Sequence, residues 1–187
     1  MASAGTDGGP DAPRLRAARP EDAVRIAEIY NESVAVGDAT MEETPWTAES
    51  VSSMMERFSD REGVFMLVDA VGDTLGWGVI KRYSDREGYR FACETAVYLP
   101  RESVGRGLGS RIKAGLIDQC RVWGYHHLVA KIFAKNQASI EYNRKFGYEL
   151  VGVQRQIGYK NGQWQDVAIL QLVLDDDAPE AGAPGCP

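Results

Sequence analysis

Apolar residues follow two periods along this chain. Leu108, Ile112, Leu116 and Cys120 recur every four residues, which is one face of a helix running from Leu108 to about Trp123, with Gly124 as its stop. Ala23, Ile26, Ala27 and Tyr30 make a second helical face, started by Pro20 with Glu21 and Asp22 in its first turn and ending near Val36. Val51, Met54, Met55 and Phe58 make a third, with Thr47 as N-cap and Trp46 and Val51 placed as a hydrophobic staple. Asn136 opens a fourth, which carries Ile140 and Phe146 and ends at Gly147. The remaining apolar runs read as strands over 14–18, 64–68, 75–80, 89–99, 128–133, 148–153 and 167–174. Gly72 and Asp73 turn the second strand into the third, and 154–166 is a long segment joining the last two.

The order is therefore β-α-α-β-β-β-α-β-α-β-β. The simplest packing is an α/β (α+β) domain: one mixed sheet with helices on both faces. The ends do not join it. Residues 1–13 and 175–187 are Gly, Ala, Ser, Asp and Pro with little to bury, so a flexible arm and tail are expected around a single domain at 14–174.

Composition narrows the function. The chain has 187 residues, 44% hydrophobic and 26% charged, ordinary for a globular protein. A net charge of −6 without a basic face argues against a nucleic-acid partner. No apolar run reaches the length of a membrane span, and the N-terminus lacks a secretory pattern. Three cysteines, Cys93, Cys120 and Cys186, have no metal-ligand spacing and suit a reducing cytoplasm, so no metal site is expected.

The chemistry centres on residues 94–110. A β-prone run ends at Pro100, Gly105, Gly107 and Gly109 follow at spacing two, and a helix begins at once. A glycine loop opening a helix presents unpaired N–H groups at the positive end of the helix dipole, where a phosphate fits. The dinucleotide fingerprint needs G-x-G-x-x-G and the P-loop needs G-K-[ST]; this loop has neither.

The segment Val104-Gly105-Arg106-Gly107-Leu108-Gly109 resembles the pyrophosphate loop of the GNAT superfamily of N-acetyltransferases, [Q/R]-x-x-G-x-[G/A], with Val104 at the Arg/Gln position. Asn136-Gln137-Ala138-Ser139-Ile140, ending in Phe146-Gly147-Tyr148, resembles the second cofactor motif of that superfamily. Within it the chain is similar to the phosphinothricin and methionine-sulfoximine acetyltransferases. The likeness rests on Ile29-Tyr30-Asn31, Thr44-Pro45, Trp77-Gly78, Tyr89-Arg90, Glu94-Thr95-Ala96-Val97-Tyr98 and Gly158-Tyr159-Lys160-Asn161-Gly162-Gln163-Trp164-Gln165-Asp166-Val167.

The resemblance implies a mostly antiparallel GNAT-type sheet, acetyl-CoA as co-substrate, a small amino acid or analogue as amine, and a homodimer to which 154–166 contributes. It places the cofactor on Ala96, Val97, Tyr98, Val104, Gly105, Arg106, Gly107, Leu108, Gly109, Ser110, Asn136, Ser139 and Asn143. It places the general base on Glu94; the residues alone also allow a solvated strand-end glutamate. Amines of pKa ~8–10 are mostly protonated at neutral pH, so transfer needs such a base. Cys93, Ala96 and Val97 beside it imply a partly apolar setting. Arg86, Tyr89 and Arg90 match substrate-contact positions, and an arginine fork suits a carboxylate; a solvated face is the alternative. Ser84 stands where relatives carry lysine. The family tyrosine expected to serve the thiolate is here Asn143, which is no acid, so that role stays unassigned. His126 and His127 read as structural. A different amine, such as a polyamine or a protein N-terminus, and a non-catalytic acyl-CoA-binding module are the competing readings.

Overall fold

Residues 12–174 are described by the computed structural model. The expected arm, apart from its last two residues, and the expected tail with Cys186 lie outside that range. Among the described residues seven strands form one sheet: Arg14–Ala17 (β1), Gly63–Val68 (β2), Thr74–Arg82 (β3), Ala92–Tyr98 (β4), His127–Phe133 (β5), Glu149–Lys160 (β6) and Gln163–Val173 (β7). Their order is β1-β2-β3-β4-β5-β7-β6. Every neighbouring pair is antiparallel except β4 and β5.

Among the described residues four α-helices cover both faces: Ala23–Val36 (α1), Ala48–Glu56 (α2), Leu108–Val122 (α3) and Gln137–Arg144 (α4). On one face α1 and α2 bury Ile26, Ile29, Tyr30 and Val51 against Met66, Val68, Trp77 and Val79. On the other, α3 and α4 bury Ile112, Leu116 and Ile140 against Ile80, Cys93, Leu128 and Leu170. The strand residues alternate between the two clusters, as the period of two requires. The close fit of α3 on β3 depends on Gly78, where a Cβ would stand 2.7 Å from Ile112 and 2.8 Å from Leu116.

The caps follow from the residues. Thr47 accepts from the Ser50 N–H at 3.2 Å and starts α2. Asn136 accepts from the Ser139 N–H at 3.0 Å and starts α4. Gly37, Gly124 and Gly147 take left-handed φ after their helices. Trp46 stacks on Tyr30 at 3.8 Å between centroids, and Asn31 clamps its backbone with bonds of 2.8 and 2.9 Å.

Two expectations need correction. β4 begins at Ala92, not at 89, because Glu87–Tyr89 forms a short 3-10 turn. Residues 154–166 are not a long connection: they are the arms of a β6–β7 hairpin that turns at Asn161 and Gly162, both at positive φ. Asn-Gly is the residue pair that a two-residue hairpin turn demands. The arms near Gln154, Arg155 and Gln156 are exposed on both faces, so they carry no apolar alternation, and an irregularity between Gln154 and Gly158 breaks the register.

Candidate active site

β4 and β5 pair only from Ala92 to Glu94 against His127 to Val129. Both strands then continue, to Tyr98 and Phe133, without pairing to each other. The sheet therefore opens into a cleft, and the β4 edge from Thr95 to Tyr98 has backbone groups without a strand partner on that side. A cavity of about 90 Å³ lies in it. Its walls include Ala96, Val97 and Tyr98 from β4 and Asn136, Ser139 and Asn143 at α4. These six residues, expected on the cofactor from sequence, are brought together here.

At the mouth of the cleft the chain leaves β4, makes a 3-10 turn at Arg101–Ser103 and enters α3 through the glycine loop. Gly105 has φ 85° and Gly107 φ 77°, and a Cβ on either would meet nothing within 4 Å. These glycines are thus required by backbone conformation and leave open space above the loop. The Leu108 and Gly109 N–H groups at the start of α3 have no backbone partner, while that of Ser110 donates to the Gly107 carbonyl at 3.1 Å. Val104, Arg106 and Ser110 are exposed around them, while Leu108 and Gly109 are buried beneath. An open loop of free donors leading to a slot with an unpaired strand edge fits a long ligand with an anionic end and an amide-bearing arm. Acetyl-CoA has that form.

A second cavity, about 380 Å³, shares Ala39, Tyr98, Lys131, Ile132 and Phe133 with the first. Its other walls include Glu94, Lys81, Tyr30, Thr40 and Met41. Glu94 is a quarter exposed there, and its Oε2 lies 2.7 Å from Lys131 Nζ. The partly apolar setting expected for Glu94 is thus corrected: a lysine faces it. Lys81 sits directly opposite Glu94 in the β3–β4 register. Tyr30 bonds the Thr40 hydroxyl at 2.5 Å, and burial pushes its phenol above the ordinary range. Burial does the same to Tyr98, with Tyr30 and Glu94 adding to it.

The expected substrate residues are not gathered at Glu94. Arg86 is exposed and lines neither cavity, and its N–H bonds the Ser84 hydroxyl at 3.2 Å. Arg90 lies over the Phe91 ring at 4.7 Å. Tyr89 lines a third cavity of about 690 Å³, with Phe91, His126, His127 and Lys131. His127 is half-buried there, and desolvation lowers its pKa with His126 contributing.

Sequence reasoning passed over Lys81, Thr95 and Lys113. Thr95 reads as an ordinary strand position, and Lys81 falls just past the strand expected at 75–80. Lys113 carried a signal: it interrupts the buried stripe of Ile112, Leu116 and Ile117 on α3, where an apolar residue belongs.

The comparisons agree with this architecture. A family model described as an acetyltransferase (GNAT) domain matches residues 15–169. The L-methionine sulfoximine/L-methionine sulfone acetyltransferase of Pseudomonas aeruginosa is 35% identical over 172 residues, covering 91% of this chain and 98% of that protein. The solved phosphinothricin acetyltransferase of Sinorhizobium meliloti, in complex with AcCoA, superimposes with a TM-score of 0.84 at 31% identity, covering 91% of this chain and 94% of the other. The ribosomal-protein-alanine N-acetyltransferase structure from Brucella melitensis gives 0.82 at 31%, covering 86% and 99%. With its cleft between parallel strands, its glycine loop and a family match across nearly the whole sheet, the chain belongs to the GNAT acetyltransferase family.

Proposed function

We propose that this protein is an acetyl-CoA-dependent N-acetyltransferase acting on the amino group of a small amino acid or analogue of the methionine sulfoximine, methionine sulfone or phosphinothricin type. The observation that carries the reading is the separation of β4 from β5 just past Glu94. It leaves the Glu94 carboxylate in a cavity that meets the cleft cavity along a seam of five shared walls.

The co-substrate, when bound, supplies an acetyl group activated as a thioester. The chain does the rest. N–H groups of the glycine loop hold the pyrophosphate, with Val104, Arg106 and Ser110 at its rim. The free edge at Ala96, Val97 and Tyr98 receives the arm, and Asn136, Ser139 and Asn143 close the other wall. Glu94 takes the proton of the incoming amine, directly or through water, and transfer is direct from thioester to nitrogen. Lys81, which lines that cavity and makes no ion pair among the described residues, is the cation to hold a substrate carboxylate. This replaces the expected role of Arg86, which keeps only an approach position on the surface.

The free thiols of Cys93 and Cys120 suit a cytoplasmic site of action. Leu150, Val151, Val153, Ile157, Tyr159 and Trp164 expose apolar surface on the β6–β7 hairpin, which supports a homodimer through that element. Sedimentation showing a monomer at micromolar concentration would remove it.

A second reading, acetylation of a protein N-terminus or polyamine on the same machinery, is favoured by the absence of Arg86 from the Glu94 cavity and by the likeness to the Brucella protein. A thiol-release assay with acetyl-CoA and a panel of amines separates the two. The first reading predicts methionine sulfoximine, methionine sulfone or phosphinothricin among the best acceptors; a preference for a carboxylate-free amine or a peptide overturns it.

A further inference from the structure

Two lysines are almost wholly buried among the described residues, and they are held differently. Lys160 donates to two carbonyls. Lys113, 2% exposed on α3, has one bond, to the Thr95 hydroxyl at 3.3 Å, and lies 4.8 Å from the centre of the Tyr148 ring. An ammonium has three protons to donate. No carboxylate lies within ion-pair distance of it among the described residues. It also lines the small cavity in the β4–β5 cleft.

Asn143 faces the same cavity from α4 and is 4% exposed. Its Nδ2 donates to the Ser139 carbonyl at 2.8 Å, while its Oδ1 is buried without a donor. A cation with spare donors and an amide oxygen with a spare lone pair thus border one cavity. Buried polar groups are nearly always satisfied, so such a pair marks the place of a polar ligand. The titratable groups around Lys113 and its cavity are Cys93 and Tyr98 from β4, Cys120 from α3 itself, Lys131 from β5, Tyr142 from α4 and Tyr148 at the start of the last hairpin. The Cys120 contact and burial push the Cys93 thiol up, and burial pushes the Tyr98, Tyr142 and Tyr148 phenols up. Neither these phenols nor the Cys93 thiol supplies an anion near neutral pH. Desolvation accordingly brings the Lys113 ammonium down to about 8.

We infer that Lys113 is the proton donor to the departing sulfur of coenzyme A, taking the role that Asn143 cannot fill. The inference rests on the reading above, that this cleft holds acetyl-CoA. As the amine nitrogen bonds to the acetyl carbon, the carbon–sulfur bond breaks and sulfur keeps the bonding pair. Lys113 gives one proton to that sulfur, directly or through water in the cavity, and becomes a neutral amine. The proton of the attacking nitrogen goes to Glu94. Once the products have left, Lys113 regains a proton from solvent and Glu94 gives its proton up to solvent, so thioester and neutral amine become amide and thiol with both groups restored.

The test uses the full chain and free coenzyme A. The ultraviolet absorbance of the bound thiolate is followed against pH, with the coenzyme-free protein subtracted. In the wild type the bound thiol should ionise about one pH unit or more below the value of free coenzyme A titrated alongside, because a buried cation faces it. Lys113→Met keeps the stem, and in it the bound thiol should ionise at or above the free value. Lys113→Arg keeps the charge but cannot release a proton; it should retain the lowered thiol value yet share with Lys113→Met a loss of roughly 10²–10³ in kcat. Identical thiol titrations in wild type and Lys113→Met overturn the inference. Should the methionine variant not fold, a wild-type bound thiol that ionises no lower than free coenzyme A overturns it alone. Failure of the wild type to bind coenzyme A by calorimetry removes the acetyl-CoA reading itself, and this inference with it.

Discussion

Lys160→Met isolates the clamp that holds one wall of the Glu94 cavity. Lys160 is 1% exposed, and its ammonium donates to the Thr40 carbonyl at 2.7 Å and the Glu42 carbonyl at 2.6 Å. It thereby ties the segment between α1 and α2 to the end of β6. Around it the Asn161 N–H donates to the Glu43 carboxylate at 2.9 Å. Methionine preserves the stem and removes both bonds. Bonds to a charged group are worth about 1.5–3 kcal/mol each, and relief from burying the charge offsets part of that, so a net loss of about 3 kcal/mol is expected. For a chain of this size that lowers Tm by about 6–12 °C. Thr40 and Met41 line the cavity with Glu94, so KM for the amine should rise as well. Thermal and urea denaturation read the first effect, and thiol release at varied amine concentration reads the second. A Tm that is unchanged or higher would mean that burying the ammonium costs as much as its bonds return, and the clamp would be refuted.

Gly107→Val should weaken acetyl-CoA binding more than ten-fold by calorimetry. The left-handed φ of 77° strains a branched residue, and its side chain would fill the open space above the loop. Val104, 65% exposed at the loop's edge, can become arginine with little change in that affinity. Asp22→Asn tests the Arg16 pair, whose bonds are 2.7 and 2.8 Å. Arg16, against the opposing effect of burial and with help from the Arg19 N–H, holds the Asp22 carboxyl below its usual range. The pair therefore stabilises the fold above the unfolded-state pKa of ~3.9, and that contribution is lost as pH falls through the lowered folded-state value. The variant's Tm should lie several degrees below wild type at neutral pH and converge with it in acid; a constant gap at every pH contradicts this.

Most of the sheet was legible because its strands bury both faces. Runs such as Val64 to Val68 and Leu128 to Phe133 have no other reading. The helices were legible through their caps, Thr47 and Asn136 above all. The strands expected at 148–153 and 167–174 are the inner parts of β6 and β7, but the hairpin beyond them was not legible, since its arms at 154–166 lie largely in solvent and Asn161-Gly162 was the sole local signal. The residues expected on the cofactor from β4 and α4 fall together because a glycine loop and a capped helix fix both walls of the cleft. The substrate side depends on which cations the sheet register sets beside Glu94. That brings in Lys81 and Lys131 and leaves Arg86 outside, and no spacing along the chain encodes such a neighbourhood. Lys113 is the instructive case: its position was visible as a break in an apolar stripe, but its meaning needed the cavity.

The most direct test of the account is the pH dependence of kcat/KM for Glu94→Gln with methionine sulfoximine as acceptor. Glutamine keeps the shape and cannot take a proton. We expect a loss of roughly 10²–10⁴ in kcat at neutral pH, the usual worth of a general base. KM for acetyl-CoA should be unchanged, and part of the loss should return at high pH, where the amine arrives already deprotonated. A Glu94→Gln protein within a few-fold of wild type at neutral pH would show that the proton leaves by another route, and would contradict the placing of the amine at the seam of the two cavities.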